Sequence, residues 1–564
     1  MFAKRFLGAL TLTSIAALSM ATISMTTNVK EGQSLSGSYK FEVRVTSDVL
    51  VRNVEFYIGD NLINTDDSTP YQFTLDTLAH DEGNLTIKFE AYNANGESAK
   101  QTYNIKVDNG LSKGVKFHVD ESVAHARDGK YQQAIDSARI ALKIDKNDNS
   151  ARMAMARANY AAGIVDIAQK FAEDVLVSDA NNADAKALLS AINLRRAFFV
   201  NSTNPTERNE TVAKALKAAA EGQSSVQNAN ADAAGISEDL NVIDTNLIAR
   251  RYSLVASTLR PNWEKNLDNA PIMNRFLYAL VMGGRIDEAR KVLGNMDRYG
   301  SPDGYTFAIK AIVAQMMGDT AGADAAEKEV ILESPSGDIT KYTQLYLALS
   351  RGKVAPMGAL IADLEKNNPN GIGVNMYRSS QAFLSGNYSG ATEPFQNALL
   401  SDPANVQVLI ERGNQVLQAI FGQKLTGSDL TNQAGLALGY YEAASAAHPE
   451  SYQALCAIAT IHILNGDSQK ALSFARAAVG AAPEYGGSYF VLAGALRLAQ
   501  VDALKDAATR NQATAYRDQT EQALQKAAEF DVRLKGRFAP GGEQAWAYLY
   551  GNGRVPFMPL PPKS

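Results

Sequence analysis

The sequence predicts a multidomain protein in which a small all-β sandwich precedes a long all-α solenoid of helical hairpins. Residues 26–109 alternate apolar and polar side chains with a period of two, which is typical of half-buried strands. Further along, a glycine turn, an aromatic residue, small residues at helical spacing and a closing proline recur about every 34 residues, as in stacked helical hairpins. The clearest copy is GNYSGATEPFQNALLSDP at residues 386–403.

Composition limits the classes of function. The chain has 564 residues, which is too long for a single core, and 46% hydrophobic residues, which is typical of globular proteins. The formal net charge of -5 argues against a nucleic-acid-binding face, which requires a basic surface. The single cysteine, Cys456, excludes an intramolecular disulfide and a zinc site built from paired cysteines.

The first 21 residues have the pattern of a secretory signal peptide. Lys4 and Arg5 precede an apolar run over residues 6–18, and small residues follow at 19–21. A membrane anchor is the alternative, but the run is shorter than the roughly 20 residues of a spanning helix. We therefore expect an exported protein, periplasmic, cell-surface or secreted, with no transmembrane span after processing.

Residues 26–109 form the predicted sandwich. Strands are predicted around residues 41, 56, 73, 87 and 104, with turns at Gly59-Asp60-Asn61 and Asn95-Gly96. The segments VEFYIGD, TPYQFTLD and AYNANG, which begin at Val54, Thr69 and Ala91, resemble bacterial immunoglobulin-like domains. The resemblance implies an antiparallel sandwich, although the cysteine pair and core tryptophan of antibody domains are missing.

Four aspartates in this segment raise the question of a calcium site. Their spacing matches no known calcium loop, and acidic residues in turns commonly cap the backbone. We therefore expect no metal ligands here. The four are Asp60, Asp66, Asp67 and Asp76.

Helical periodicity begins after a short linker and continues to about residue 536. The residues Gly129, Tyr131 and Ala134 of the first unit stand at offsets that resemble tetratricopeptide repeats. The resemblance implies a right-handed superhelix of about ten hairpins with a concave groove. The predicted arrays cover residues 115–261 and 270–536, and a C-terminal cap with a Pro-rich tail covers residues 537–564.

Three stretches do not fit the repeat and are predicted as insertions. The largest, residues 201–235, is expected to hold one short helix over residues 210–220. The other two are placed around residues 422–431 and near residues 503–510.

The groove is the candidate binding site. In tetratricopeptide arrays the first helix of each hairpin lines the concave face, and here this position carries apolar and aromatic residues, which often dominate interface energy. The alternative is that some of them pack against a neighbouring helix or the chain's own tail. We hypothesise that the Pro-rich residues 555–562 fold back into the groove or onto the last repeat. The predicted partner-binding residues are Tyr278, Met282, Tyr305, Met316, Tyr342, Tyr346, Leu349, Met376 and Phe383.

No catalytic motif is recognisable in the sequence. His118 and His125 are seven residues apart, which is a poor spacing for a metal pair on a helix, and Cys456 and His462 fall on different helix faces. We expect no enzyme activity, cofactor or metal.

The predicted function is that of an extracytoplasmic protein-interaction scaffold whose groove binds a partner protein or peptide, associated with the cell envelope or surface. The alternative is a surface adhesin or glycan-binding protein that uses the immunoglobulin-like domain and has the array as a spacer. The absence of tryptophan from residues 26–109 weighs against a sugar-stacking site.

Overall fold

The structure, a computed structural model, describes residues 23–200, 204–535 and 557–563. The predicted signal peptide and most of the predicted C-terminal cap, including Trp546, lie outside these ranges. The chain divides into two compact units, Met1–Ala180 and Asn181–Ser564, which are described separately.

The first unit begins with a two-sheet sandwich. One sheet has the order β1-β3-β6 and the other the order β2-β8-β7-β4-β5; neighbours are antiparallel except β2 and β8. The strands are β1 Ile23–Thr27, β2 Ser34–Leu35, β3 Ser38–Ser47, β4 Val51–Ile58, β5 Asn61–Asp66, β6 Tyr71–Asp76, β7 Gly83–Asn93 and β8 Ser98–Val107.

The period-two pattern is confirmed by the core of this sandwich. Phe41, Phe56, Phe73 and Phe89 come from both sheets and are buried between them, with the rings of Phe56 and Phe89 stacked at 5.1 Å. The predicted turn after β4 is also present, because Gly59 has a φ of 58° that suits glycine.

Four helices complete the first unit as two hairpins: α1 Gly114–Arg127, α2 Tyr131–Ile144, α3 Asn149–Ala161 and α4 Val165–Ser178. The first hairpin packs on the sandwich through polar contacts. Arg139 of α2 is 2.5 Å from Asp76, and Asp136 accepts a hydrogen bond from the Ser38 backbone N–H at 3.3 Å. Lys143 donates to the Leu78 carbonyl at 2.7 Å. The sandwich and the first helices therefore form one compact body.

The second unit is a solenoid of helical hairpins. A short 3-10 helix, Arg260–Lys265, follows the second hairpin of this unit, and another, Val532–Leu534, follows the last. The helices are α5 Ala183–Phe198, α6 Pro205–Ala234, α7 Leu240–Ile248, α8 Tyr252–Leu259, α9 Ala270–Met282, α10 Ile286–Tyr299, α11 Gly304–Met317, α12 Thr320–Glu333, α13 Asp338–Ser350, α14 Met357–Asn367, α15 Ile372–Leu384, α16 Thr392–Ser401, α17 Val406–Gly422, α18 Gly427–Ala447, α19 Tyr452–Leu464, α20 Ser468–Ala481, α21 Gly486–Lys505 and α22 Gln512–Phe530.

The turn inside each hairpin explains the spacing of the glycines. Gly284, Gly318, Gly352 and Gly386 stand one period apart and have φ values of 75°, 86°, 64° and 80°. These left-handed values favour glycine because a Cβ is strained there. Arg250, one period before Gly284, has a φ of 61° and takes the same position in the α7–α8 turn.

The prediction of an insertion at residues 201–235 is wrong. Nearly all of it is the helix α6, which is 30 residues long and is the second helix of the α5 hairpin. Asn204 caps its N-terminus, Pro205 occupies the first turn, and the Ala-rich sequence favours helix throughout. In the described part of the chain the helices thus form eleven hairpins, one more than predicted, because α7 and α8 make a hairpin of their own.

The two smaller predicted insertions differ in the structure. Only residues 423–426 separate α17 from α18, so most of the stretch at 422–431 lengthens these two helices. Near residues 503–510, α21 runs through Lys505 and α22 begins at Gln512, so most of that stretch lies between the two helices.

The longest helices, α6 and α18, pack against each other within the second unit. Thr206 hydrogen-bonds Asn432 at 2.9 Å, and Ser224 donates to the Ala447 carbonyl at 2.9 Å. Between these contacts, Gly439 lies so close to Ala213 that an added Cβ would stand 2.5 Å from the alanine Cβ. The lengthened helices therefore join an early hairpin to a late one.

Further contacts join early and late hairpins of this unit. Ser253 of α8 is 3.2 Å from Glu450, and the Glu288 backbone N–H donates to Glu484 at 3.1 Å. At the end of the array, Arg533 donates to the Met316 carbonyl at 2.8 Å. As a result, later hairpins of the unit contact earlier ones directly.

Candidate functional site

The inner face of the second unit holds the described end of the chain, residues 557–563, here called the tail segment. Its sequence is FMPLPPK, and it forms no helix or strand. Three of its seven residues are proline, which have no backbone N–H to enter a helix or sheet. The tail segment contacts first helices of successive hairpins, as the fold-back hypothesis expected.

Arg275 of α9 is the principal polar contact with the tail segment. Its side chain is fully buried, and its Nε and Nη2 atoms lie 2.7 and 3.0 Å from the two carboxylate oxygens of Asp244. The guanidinium also donates to the carbonyls of Pro561 and Pro562 at 3.0 and 3.1 Å. A buried charge is tolerated when it is paired and hydrogen-bonded, and here the tail segment supplies part of that coordination.

Tyr305 of α11 provides the second anchor. Its hydroxyl donates to the carbonyl of Pro559 at 2.7 Å, and its ring is buried. Burial raises the pKa of Tyr305 well above its ordinary value, with nearby Tyr278 acting in the same direction. The hydroxyl therefore keeps its proton and remains a donor at any physiological pH.

Phe557 occupies an apolar notch between α13 and α15. Its ring centroid is 5.8 Å from that of Tyr342. A Cβ added at Gly373 would stand 2.3 Å from the Phe557 ring, so glycine is what leaves room for the aromatic side chain. The next residue, Met558, is buried in the same apolar core as Tyr305, and Leu560 packs against that core.

The tail segment leaves the groove at α7. Lys563 donates from its ammonium group to the side-chain oxygen of Asn241, and both residues are exposed. Along the tail segment the groove therefore begins with an apolar notch at Phe557, continues with the buried donors Tyr305 and Arg275, and ends at exposed polar residues.

Ionisation inside the groove is suppressed by burial. Burial raises the pKa of Tyr342 to about 12, with Asp338 acting in the same direction. The pKa values of Tyr278 and Tyr377 are also raised, again mainly by burial. The aromatic hydroxyls are thus neutral groups that can donate to a ligand's acceptors.

All nine predicted groove residues are buried, but they do not form one surface. Tyr305 and Tyr342 contact the tail segment. Phe383 packs against Tyr388 at a separate cleft. Four others belong to the core around Tyr305, namely Tyr278, Met282, Met316 and Tyr346. The remaining two, Leu349 and Met376, belong to the neighbouring core.

Sequence reasoning missed three residues that shape the groove: Arg275, Asp244 and Gly373. A signal existed for Arg275, which is the one charged residue in the α9 sequence APIMNRFLYALVM. A charge within an apolar helix requires a partner, and partners of this kind often mark a site. Asp244 and Gly373 have no comparable signal, because their roles depend on which helices meet.

The cysteine and the histidines considered as reactive or metal-binding residues are in contact with other groups of the protein. Burial raises the pKa of Cys456 to about 12, and its sulfur lies 3.7 Å from the Ser488 hydroxyl. His462 stacks on Phe474 at 5.6 Å, and His118 is hydrogen-bonded to the Gly110 carbonyl at 2.8 Å. His125 lines a polar cleft of about 560 Å³ between the sandwich and the first hairpin.

Two of the four aspartates considered for calcium are bound by other groups of the protein. Asp66 accepts hydrogen bonds from the backbone N–H groups of Ser68 and Gln72 at 3.1 and 2.9 Å, and these bonds lower its pKa. Asp76 pairs with Arg139. Within residues 23–200, 204–535 and 557–563, no group of three histidine, cysteine or acidic residues is arranged to hold a metal.

Comparison with known proteins identifies the first domain. Residues 22–89 match the family model of the bacterial Ig domain. Together with the two-sheet topology, this gives an N-terminal bacterial Ig-like domain, which is followed by a solenoid of helical hairpins. No match is found among curated proteins.

Two solved structures show distant likeness. Yeast Tom70 is 12% identical with a TM-score of 0.31, over 78% of this chain and 96% of that one. Cut9–Hcn1 of the APC/C is 10% identical with a TM-score of 0.33, over 77% of this chain and 96% of that one. Neither likeness is strong enough to assign a function.

Among the described helices, none combines the length and apolar character that a membrane span requires.

Proposed function

We propose that this protein is a non-enzymatic, extracytoplasmic interaction scaffold whose inner groove holds an extended segment of a partner protein. The observation that carries the proposal is the tail segment itself. Side chains of Arg275 and Tyr305 bind the carbonyls of an extended peptide, and an apolar notch takes its aromatic side chain. This is the chemistry of peptide recognition by a preformed surface.

The burial of the groove supports a binding role in a specific way. Arg275 is fully buried and is paired with Asp244, so its donors are held in fixed directions before a ligand arrives. Preorganised donors reduce the entropy lost on binding. The proposed site is therefore the surface around Arg275, Tyr305, Tyr342 and Gly373, a narrower set than the nine residues predicted from sequence.

A non-enzymatic role fits the reactive groups that the structure describes. The thiol of Cys456 is buried and protonated because its pKa is raised, which makes it a poor nucleophile. The location outside the cytoplasm rests on the signal-like first 21 residues, and the bacterial Ig-like domain is compatible with it. The domain boundaries at residues 26–109, 115–261, 270–536 and 537–564 remain our proposal for functional segments.

Site-specific photo-crosslinking tests the function. A benzophenone amino acid replaces Tyr342 in a chain without residues 557–564, and the protein is exposed to cell-envelope extract. We expect one protein to be crosslinked, with the attachment mapping to a single segment of that protein. The matched control places the same amino acid at Tyr299, which is 67% exposed on α10.

Two results decide the test. A segment crosslinked from position 342 and not from position 299 supports groove binding, provided the purified partner also binds and Tyr305→Phe weakens it. Equal crosslinking from both positions, or none from position 342 in a chain with unchanged circular dichroism, contradicts the proposal.

A further inference from the structure

We infer that the groove recognises proline-rich extended peptides and that the tail segment is a resident competitor, which a partner peptide must displace. This inference rests on the proposed function and specifies the ligand class and the regulation of the same site.

At three prolines of the tail segment, the groove contacts the backbone through the carbonyl oxygen. Arg275 and Tyr305 donate to Pro559, Pro561 and Pro562, and each of these carbonyls belongs to a proline. Pro561 is buried and Pro559 is half-buried. A proline nitrogen has no hydrogen, so burying it leaves no unsatisfied donor. Any other residue at these positions brings an N–H that needs an acceptor.

The cost of such a donor gives the expected selectivity. An N–H buried without a partner lowers affinity roughly tenfold or more. The side chains that bind the backbone at Pro559, Pro561 and Pro562 are a guanidinium and a hydroxyl, which both donate to carbonyls. The nearby Asp244 carboxylate is already bound to Arg275. The environment thus favours proline at the positions of Pro559 and Pro561.

Side-chain pockets add a second element of recognition. Phe557 needs the space that Gly373 leaves, and Met558 is buried beside it. The preferred ligand is therefore an aromatic residue and an aliphatic residue followed by alternating or paired prolines. Such sequences adopt an extended polyproline conformation in solution, so little conformational freedom is lost when they bind.

Chain length allows the tail segment to reach the groove of its own molecule. Arg533 is anchored at the Met316 carbonyl on α11, and Tyr305 on the same helix binds Pro559. Helix α11 has 14 residues, a length of about 21 Å. The 21 residues from 536 to 556 can span roughly 70 Å when extended, so they can cross this distance.

Tethering makes the tail segment an effective competitor. A peptide that belongs to the same chain as its binding site has an effective concentration set by the length of the connecting chain, up to about a millimolar. A free peptide of the same sequence must compete with that concentration. The full chain is therefore expected to bind free peptide far more weakly than a chain whose tail segment is absent.

The experiment measures binding of a fluorescein-labelled FMPLPPK peptide by fluorescence anisotropy. We expect saturable binding to a chain ending at Pro556 and at least tenfold weaker binding to the full chain. A peptide in which alanine replaces all three prolines should bind the shortened chain at least tenfold more weakly. Circular dichroism and thermal melting verify that the shortened chain is folded.

A second variant covers the case in which the shortened chain does not fold. Phe557→Ala in the full chain weakens the resident tail segment and leaves the groove intact. The labelled peptide should then bind several-fold more tightly than it binds the unaltered chain. Unchanged affinity in this folded variant overturns the inference.

Three further outcomes would overturn part of this inference, and one would refute only the proposed function. A folded shortened chain that does not bind the peptide, or that binds the alanine peptide equally well, overturns the proline selectivity. A full chain that is dimeric, and becomes monomeric only when residues 557–564 are removed, shows that the tail comes from a second copy and overturns the competitor within one molecule. Peptide binding without any crosslinked partner would instead refute the scaffold function and leave this inference standing.

Discussion

Single residues determine what the inner groove can bind, and Tyr305 tests this most simply. Tyr305→Phe removes the hydroxyl that donates to Pro559 and keeps the buried ring. Losing one hydrogen bond of this type weakens binding by about 1 kcal/mol, or roughly fivefold. Peptide anisotropy with the shortened chain measures the change. Tyr299→Phe, at an exposed position on α10, is the matched control and should leave affinity unchanged.

His448 gives a prediction about pH at the residue scale. Burial, with the positive charge of Arg250 as a second cause, lowers the pKa of His448 from 6.5 to about 4. Between pH 6.5 and 4 the unfolded state binds this proton and the folded state does not, so stability is lost as pH falls. The loss is about 3 kcal/mol at most.

Denaturant unfolding at pH 7 and at pH 4.5 measures the effect of His448. The histidine ring packs edge-on against Tyr252 at 5.3 Å, so His448→Gln lowers stability somewhat at neutral pH. Its drop in unfolding free energy between the two pH values should be smaller than that of the unaltered chain. His125→Gln, in the other unit, should keep the full drop. An equal drop in all three proteins contradicts the assignment.

What the sequence could foresee at this scale depended on the side chain. Tyr305 and Tyr342 stand at first-helix positions of the repeat, so the pattern predicted their inward placement. Gly373 forms the notch only because Phe557 arrives from far along the chain, and Asp244 matters only because α7 meets α9. Such roles depend on contacts between distant segments, which the repeat period does not encode.

At the scale of elements, the repeat pattern placed most helices and misjudged those that depart from it. The stretch at 201–235 was out of register with the hairpins on either side and was therefore predicted as an insertion. Its Ala-rich composition nonetheless has high helix propensity, and the structure has a helix of 30 residues there. Arg250 in place of the turn glycine concealed the additional hairpin α7–α8.

The packing of α6 on α18 predicts opposite effects for two glycines of α18. Gly439→Ala places a methyl group 2.5 Å from the Ala213 Cβ and should destabilise the protein by about 1–3 kcal/mol. Gly435 has open space around its Cβ position, so Gly435→Ala should stabilise by roughly 0.5–1 kcal/mol through helix propensity. Chemical denaturation of the two variants measures the difference. Equal effects would contradict the close approach of these helices.

At the scale of the whole molecule, the order of a β-sandwich and a helical solenoid followed from sequence periodicity alone. The contacts between early and late hairpins of the second unit did not, because they depend on pairs such as Ser253 with Glu450 that lie far apart in the chain. The packing of the first hairpin on the sandwich, through Arg139 and Asp76, was likewise beyond a local pattern. Periodicity specifies neighbours in the array and leaves contacts between remote repeats open.

The two compact units predict separable unfolding. In calorimetry, removal of residues 557–564 should lower the transition of the second unit and leave that of the first unchanged, because the tail segment belongs to the second unit's core. Phe89→Ala should do the reverse and lower the melting temperature of the first unit only. The expected loss in that unit's unfolding free energy is about 3–5 kcal/mol, because Phe89 is fully buried in the sandwich. A single transition shifted by both changes would contradict separate units.

The groove is tested most directly by amide hydrogen exchange, measured on the full chain, on the chain ending at Pro556, and on the latter with FMPLPPK peptide. We predict that exchange in α9, α11, α13 and α15 rises when the tail segment is removed and falls again when the peptide is added, with the sandwich strands unchanged as an internal reference. Exchange in these four helices that stays the same in all three samples would contradict a peptide-binding groove occupied by the chain's own end.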